Sequence, residues 1–391
     1  MSPHILDTEI QQFILDNTGS DVTKLALQKN PFPQVEWSEI LGQIAAREKA
    51  KDKLPTWFNA KRIIYPSKIS VEQTSSEATA KYKASLIKGE NLIDLTGGFG
   101  VDDYYFSQLV DFVVHCEMNV ELSLLVAHNF EVLEATNIEC IAGDSLNTLQ
   151  QLNRQWDWIY IDPARRSDAK GKVFMLKDCQ PNVPDLQEIY FGFTKKILVK
   201  TAPLLDITAG LSELHSVKEI YIIALNNEVK ELLWMLEDGF KGTPTLHTVN
   251  INKEHTQFFT APLHSTKEAT YSMPEKYIYE PNSAIMKSGA FDAISHDFSV
   301  NKLHKHTQLY TSNTLIDFPG RRFIINEVLP YQKAEMKKYA EGQKMNITVR
   351  NFPITVEEIR KKWKIKDGGD TYAFFTTNIN NEKIMLLCSK I

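Results

Sequence analysis

The feature that most constrains this chain is an alternation between residues 91 and 260. Short apolar runs, NLIDLT, FVVHCE, IECIAG, WIYIDP, KILVKT and EIYIIAL, are separated in the early part by helix-like segments such as VELSLLVAHNFEVLEA. Strands alternating with helices imply a mostly parallel sheet with helices on both faces. The spacing is too irregular for a solenoid, and no internal repeat is found. Before residue 91 the apolar spacing is helical. ILDTEIQQFILDNTG stops at Gly19, NPFP at 30–33 breaks the chain, Ser38 to Ala50 predicts a helix, and VEQTSSEATAKYKASLI predicts one ending near Gly89. From about residue 261 strands dominate, with one clear helix at 355–364, which predicts a separate α+β module of two small units. The expected fold class is α/β: a Rossmann-like sheet, a helical N-terminal region and a small α+β C-terminal module.

At 391 residues the chain has room for two or three domains. With 43% hydrophobic and 24% charged residues it has the balance of a soluble globular protein. A net charge of −5 gives no overall electrostatic argument for a polyanionic partner. The charge is uneven, however. Residues 321–370 hold twelve Lys/Arg against seven Asp/Glu, leaving thirty-two against forty-two elsewhere. That permits a nucleic-acid-facing patch near the C-terminus, or simply a solvated mixed surface. Cys116, Cys140, Cys179 and Cys388 form no CxxC pair, so neither a metal site nor a disulfide framework is expected, and Cys116 and Cys140 read as buried thiols. MSPHILDTEI does not resemble a signal peptide, and no apolar stretch is long enough to span a bilayer. A cytoplasmic protein without a membrane partner is expected; the oligomeric state is left open.

The central motif is DLTGGFGVD at 94–102, directly after an apolar strand. A glycine-rich turn there lets a ligand approach the backbone. A dinucleotide fingerprint starting at Gly98 would need a third glycine where Asp103 stands, which argues against NAD. The arrangement resembles class I methyltransferases instead. Asp94, Thr96, Gly97, Gly98 and Gly100 match that family's first motif, which the resemblance assigns to the methionine portion of S-adenosyl-L-methionine. Glu117 ends the second strand, where a carboxylate can accept from both ribose hydroxyls. Asp144, with Ser145 beside it, follows the third strand and by resemblance lies near the adenine.

WIYIDPARR ends the fourth strand, and in the family the residues after it face the transferring methyl. Amino-group methylases of nucleic acids carry an aromatic there to stack on the base. Here Asp162 and Pro163 are followed by Ala164 and Arg165. Asp162 could still accept a proton from a ring nitrogen, an amine or a hydroxyl. Arg165 suits an anionic substrate, the alternative being an ion pair with an acid such as Asp168. The expected catalytic residues are Asp162, Pro163 and Arg165. Cys179 reads as packing a loop rather than as a nucleophile, and Lys200 as a surface lysine, although it could point into the cleft. Gln73, Thr74 and Ser75 could form a lid or a helix cap.

Nearly the whole chain resembles a family of methyltransferases, found largely in Bacteroidetes, with ferredoxin-like and THUMP-like C-terminal domains. The residues carrying this are EQTSSEATAKYKA, DLTGGFGVD, IDPARR, YEPNSAIMKSGAF, LYTSN with FPGRRF, and VRNFPITVEEIRKKWKIKDGGD. The resemblance implies a helical region at 1–90, a methyltransferase domain at 91–270, a ferredoxin-like unit at 271–318 and a THUMP-like domain at 319–391. THUMP domains serve RNA-modifying enzymes, so it implies methylation of structured RNA, ribosomal or transfer. Phe352 and Trp363, among the basic residues, could stack bases or fill a core. The alternatives are a methyltransferase for a protein or a small anionic metabolite, and a non-enzymatic RNA-binding protein that retains the fold.

Overall fold

The computed structural model describes residues 2–165, 175–253 and 255–391. The chain forms two compact units: Met1–Lys218 with Leu233–Lys241, and Glu219–Leu232 with Gly242–Ile391.

The first unit opens with helices. Thr8–Asp16, Val22–Ala26 and Trp37–Lys53 pack Ile10, Ile14, Leu25, Ile40 and Ile44 into one core. The helix expected across the TSS sequence is two helices, Lys68–Gln73 and Glu77–Leu86, with Ser76 capping the second by accepting from the Thr79 amide.

The sheet of this unit begins with β1 (Asn91–Asp94), β2 (Phe112–Glu117), β3 (Ile138–Ala142) and β4 (Trp158–Ile161). β5 (Ala164–Arg165) and β6 (Cys179–Gln180) form a separate antiparallel ribbon, and β7 (Lys196–Thr201) rejoins the main sheet. β1 pairs in parallel with both β2 and β4, β2 with β3, and β4 with β7, so the order is β3–β2–β1–β4–β7. The order reverses at β1. In an open α/β sheet such a reversal leaves a crevice at the carboxyl ends of the strands, where ligands bind. Buried Leu92, Ile93, Val113, Val114, Ile159 and Ile197 give the strands their apolar runs. The first unit thus has the α/β, Rossmann-like architecture that the alternation predicts.

The boundary between units passes through β8 (Val217–Leu225) and β9 (Glu228–Glu237). In the second unit β8 pairs in parallel with β10 (Thr245–Ile251), and β10 pairs antiparallel with β11 (Thr256–Pro262). A further sheet contains β12 (Tyr277–Pro281), β13 (Asn301–His304), β14 (Thr307–Ser312), β15 (Gly320–Pro330), β16 (Asn346–Arg350), β17 (Thr371–Thr377) and β18 (Lys383–Lys390). Its order is β13–β14–β12–β15–β18–β17–β16. β15 pairs with β12 through Gly320–Ile324 and with β18 through Phe323–Pro330, so these strands form one continuous sheet rather than two small ones. Helices Lys333–Tyr339 and Val356–Trp363 cover one part of it, burying Met336, Ile359 and Trp363. Trp363 fills this core, and Phe352 packs partly buried against it.

Candidate active site

The turn after β1 is held by its own acid. Asp94, 2% exposed, accepts from the Thr96 amide at 2.7 Å and from the Thr96 hydroxyl at 2.9 Å. The same hydroxyl accepts from the Asp162 amide at 2.7 Å and so ties the end of β4 to the β1 turn. The turn is also bonded to β2: the Gly97 amide donates to the Cys116 carbonyl at 2.8 Å, and the Gly98 amide to Glu117 Oε2 at 3.0 Å. Glycine is required at two of these positions. A Cβ on Gly97 would lie 2.2 Å from the His115 ring. At Gly100, φ is +74° and a Cβ would lie 2.5 Å from Phe130. Above Gly98, by contrast, a Cβ would meet only the Thr96 carbonyl, at 3.6 Å, so the turn offers open backbone there.

Glu117 also accepts from the Asn119 amide at 2.7 Å, one backbone bond to each carboxylate oxygen. Each oxygen keeps a lone pair for a ligand hydroxyl. Asp144 is exposed and caps the helix Ser145–Leu152 by accepting from the Asn147 amide at 2.9 Å. It sits two residues beyond Ala142, which is in register with Glu117 on the neighbouring strand. The fold therefore brings Asp94, Thr96, Gly97, Gly98, Glu117 and Asp162 together through direct bonds. Asp144 and Ser145 stand at the next strand end, and Gly100 opens the helix Val101–Phe106.

Asp162 is half-buried and is ion-paired with Lys200 of β7. The lysine side chain is only 11% exposed, so the expectation of a surface lysine is corrected: the register of β7 turns it inward. Pro163 is buried, Ala164 exposed and Arg165 half-buried in the β5–β6 ribbon. Asp168 and Arg166, the other residues of the proposed arginine pairing, lie outside the described residues. Cys179 is buried in β6, its thiol 3.7 Å from the Met175 carbonyl, consistent with loop packing. Cys116 is buried as expected, while Cys140 is only half-buried. Burial pushes the Cys116 thiol up to about 11, which disfavours the thiolate a nucleophile needs.

Ser75 is buried and does not cap the helix, a role taken by Ser76. Ser75 donates to Asp102 Oδ2 at 2.9 Å and accepts from the Lys83 ammonium at 2.8 Å. Lys83, fully buried, lies 3.1 Å from Asp102 Oδ1, and the Tyr160 hydroxyl donates to Asp102 at 2.8 Å. Burial pushes the Asp102 carboxyl up, but the Lys83 and Lys200 ammonium groups and these hydroxyls outweigh it and hold it below the usual range. Asp103 is different. Its Oδ2 lies 2.6 Å from His115 Nδ1, and both residues are fully buried. Burial, and after it the Asp102 charge, hold Asp103 well above the usual carboxylate range. Burial and then Asp103 do the same to Asp94, while burial lowers His115 despite the nearby acids. Sequence reading passed over Lys83, Asp102 and His115. The one available signal was a histidine inside an otherwise apolar strand, VVHC.

Among the described residues no group of three or more His, Cys, Asp or Glu could hold a metal ion, and no helix is long and apolar enough to cross a membrane. Two family models match: a ferredoxin-like domain over residues 277–319 and a THUMP domain-like region over 320–390. No curated protein matches. Among solved structures, a protein of Porphyromonas gingivalis W83, provisionally named a methyltransferase, is 30% identical, covering 99% of this chain and 98% of its own, with a TM-score of 0.88. Partial overlaps include a Streptococcus thermophilus rRNA methylase, at 13% identity over 41% of this chain and 94% of that one, TM-score 0.30. Another is a provisionally named methyltransferase of Streptococcus mutans in complex with SAH, at 13% identity over 41% and 96%, TM-score 0.31.

Proposed function

Since this chain belongs to the Bacteroidetes-type methyltransferase family with ferredoxin-like and THUMP-like C-terminal domains, we propose that it moves the methyl group of S-adenosyl-L-methionine to structured RNA, ribosomal or transfer. The observation that supports this best is the convergence of the Thr96–Gly98 turn, Glu117 and Asp162 at the carboxyl edge of the sheet, beside the strand-order reversal. The open backbone at Gly98 and the spare lone pairs of Glu117 fit a nucleoside that carries positive charge. Asp94, Thr96, Gly97, Gly98 and Gly100 would hold the methionine end, Glu117 the ribose, and Asp144 with Ser145 the adenine side. When bound, the cofactor supplies a methyl group made electrophilic by its sulfonium.

The residues of this chain then do the positioning. Lys200 orients the Asp162 carboxylate. Asp162 accepts the hydrogen of the attacking atom and aligns it, which in a direct displacement carries much of the rate enhancement. Buried Pro163 stiffens the link to Ala164. Arg165, on the ribbon that follows, steadies a substrate phosphate. The matched THUMP domain-like region is the second support for an RNA substrate. A cytoplasmic setting fits this reading. The domain division proposed from the sequence, 1–90, 91–270, 271–318 and 319–391, is kept as its working frame.

The test is labelled methyl transfer from S-adenosyl-L-methionine to total RNA from a strain lacking the gene, with wild-type RNA as the premodified control. Label entering only the first supports RNA; label entering protein or small anionic metabolites instead selects that alternative. Cofactor binding with no transfer to any of them selects a non-enzymatic RNA-binding role. Arg165→Ala should abolish transfer and leave cofactor affinity unchanged.

A further inference from the structure

Beneath the glycine turn lies a set of ionisable groups that the transfer scheme does not use. Asp94, Asp103 and His115 are 2%, 0% and 0% exposed. His115 Nδ1 is 2.6 Å from Asp103 Oδ2, a separation that requires a proton between them. The imidazole lies directly under Gly97, where an added Cβ would fall 2.6 Å from Nε2. That Nε2 is buried with no hydrogen-bond partner, and the Asp103 carboxyl meets that of Asp94. A ring nitrogen left so is rare in folded proteins because it forfeits its hydration. Among the described residues neither Asp94 nor Asp103 pairs with a lysine or arginine, although the adjacent Asp102 has Lys83.

The surrounding elements add little compensation. Asp102 faces Asp103 from the same helix. Glu117 acts on His115 from β2, and Phe130 of the helix Val120–Val132 covers the ring edge-on at 5.8 Å. Cys140 approaches Asp103 from β3. The cluster is thus a buried, proton-holding acid site directly beneath the Thr96–Gly98 backbone. A positive charge placed on that backbone would act on it through a low-dielectric interior, where charge interactions are strong.

We propose that Asp103 and His115 are positioning residues that act through Asp94 and Gly97, and that binding a cation on the Thr96–Gly98 turn expels the proton the three side chains share. The inference rests on the cofactor reading above, because S-adenosyl-L-methionine brings an ammonium and a sulfonium. No covalent bond changes; the proton passes to solvent. Cofactor affinity therefore rises with pH, up to tenfold per pH unit where one proton is released. The demethylated product, which lacks the sulfonium, releases less.

The experiment is isothermal titration of the full-length protein with S-adenosyl-L-methionine at pH 7, in two buffers of different ionisation enthalpy. The wild type should show a buffer-dependent heat corresponding to release of up to one proton. Asp103→Asn should reduce that buffer-dependent heat, whereas His115→Gln, which leaves both acids in place, should retain it. Measurable wild-type binding with no buffer dependence overturns the proposal and leaves the cofactor reading standing; no binding at all overturns both. Should either variant fail to fold, as read by circular dichroism, the wild-type titrations decide alone.

Discussion

The two units bury acids in opposite ways. In the first, Asp94 and Asp103 sit beneath the glycine turn with no lysine or arginine partner among the described residues: Asp94 is held by Thr96 and Asp103 by His115. In the second, Glu280, 3% exposed, is clasped by two arginines: Arg321 Nε at 2.6 Å and Arg350 NH2 at 2.7 Å. The second arrangement is complete, since each carboxylate oxygen meets a guanidinium. It also consumes part of the positive charge that the sequence concentrates between 321 and 370, as do the ion pairs of Arg322 with Asp317 and Arg360 with Asp367. The basic excess is therefore smaller as a free surface than as a count. The first arrangement has no basic partner among the described residues, and buried acids so strongly shifted are more characteristic of sites that meet a ligand than of scaffolding.

The contrast can be broken most forcefully within the first unit. Lys83→Met leaves Asp102 buried without its cation and should cost about 3–5 kcal/mol of stability, read from chemical denaturation midpoints. A loss below 1 kcal/mol would mean that Ser75 and Tyr160 suffice. Removing both clasps, with Arg321→Ala and Arg350→Ala together, should cost less, about 1–3 kcal/mol, because both guanidinium groups already reach solvent and water can take their place.

Asp103→Asn should run the other way and depend on pH. The native carboxyl holds its proton well above the ordinary value of 3.8. Its contribution is therefore complete below that value and lost as pH rises towards the native one. The asparagine variant lacks this loss, so its stability relative to wild type should improve between pH 5 and pH 8. A difference that shrinks with pH would contradict the assignment. Least of all, Arg322→Ala should leave the melting temperature unchanged, since its partner Asp317 is fully exposed.

Much of the catalytic scaffold was legible in the residues. Each apolar run from NLIDLT to EIYIIAL is a strand, and the central β1 and β4 are the most nearly continuous apolar runs because both their faces are covered. The site acids were legible because each closes such a run. What escaped depends on partners distant in sequence. The break at 74–76 exists because Ser75 reaches Asp102, which helical periodicity cannot reveal. Lys200 turns inward through strand register, which a single apolar run does not disclose. The strand Glu228–Glu237 was overlooked although Asn226 and Asn227 precede it with φ of 50° and 64°. Paired asparagines tolerate that left-handed backbone and are a hairpin signal. In the C-terminal half, individual strands could be read, but not that β15 serves both flanking groups of strands.

That shared strand limits how the protein can be cut. A chain ended after Pro319, between the two matched family segments, would strip β12 of one neighbour and expose a row of unpaired amides and carbonyls. A fragment begun at Gly320 would bare the opposite flank of the same ladder. Each piece invites self-association through its raw edge, so neither half is expected to behave as an independent monomer.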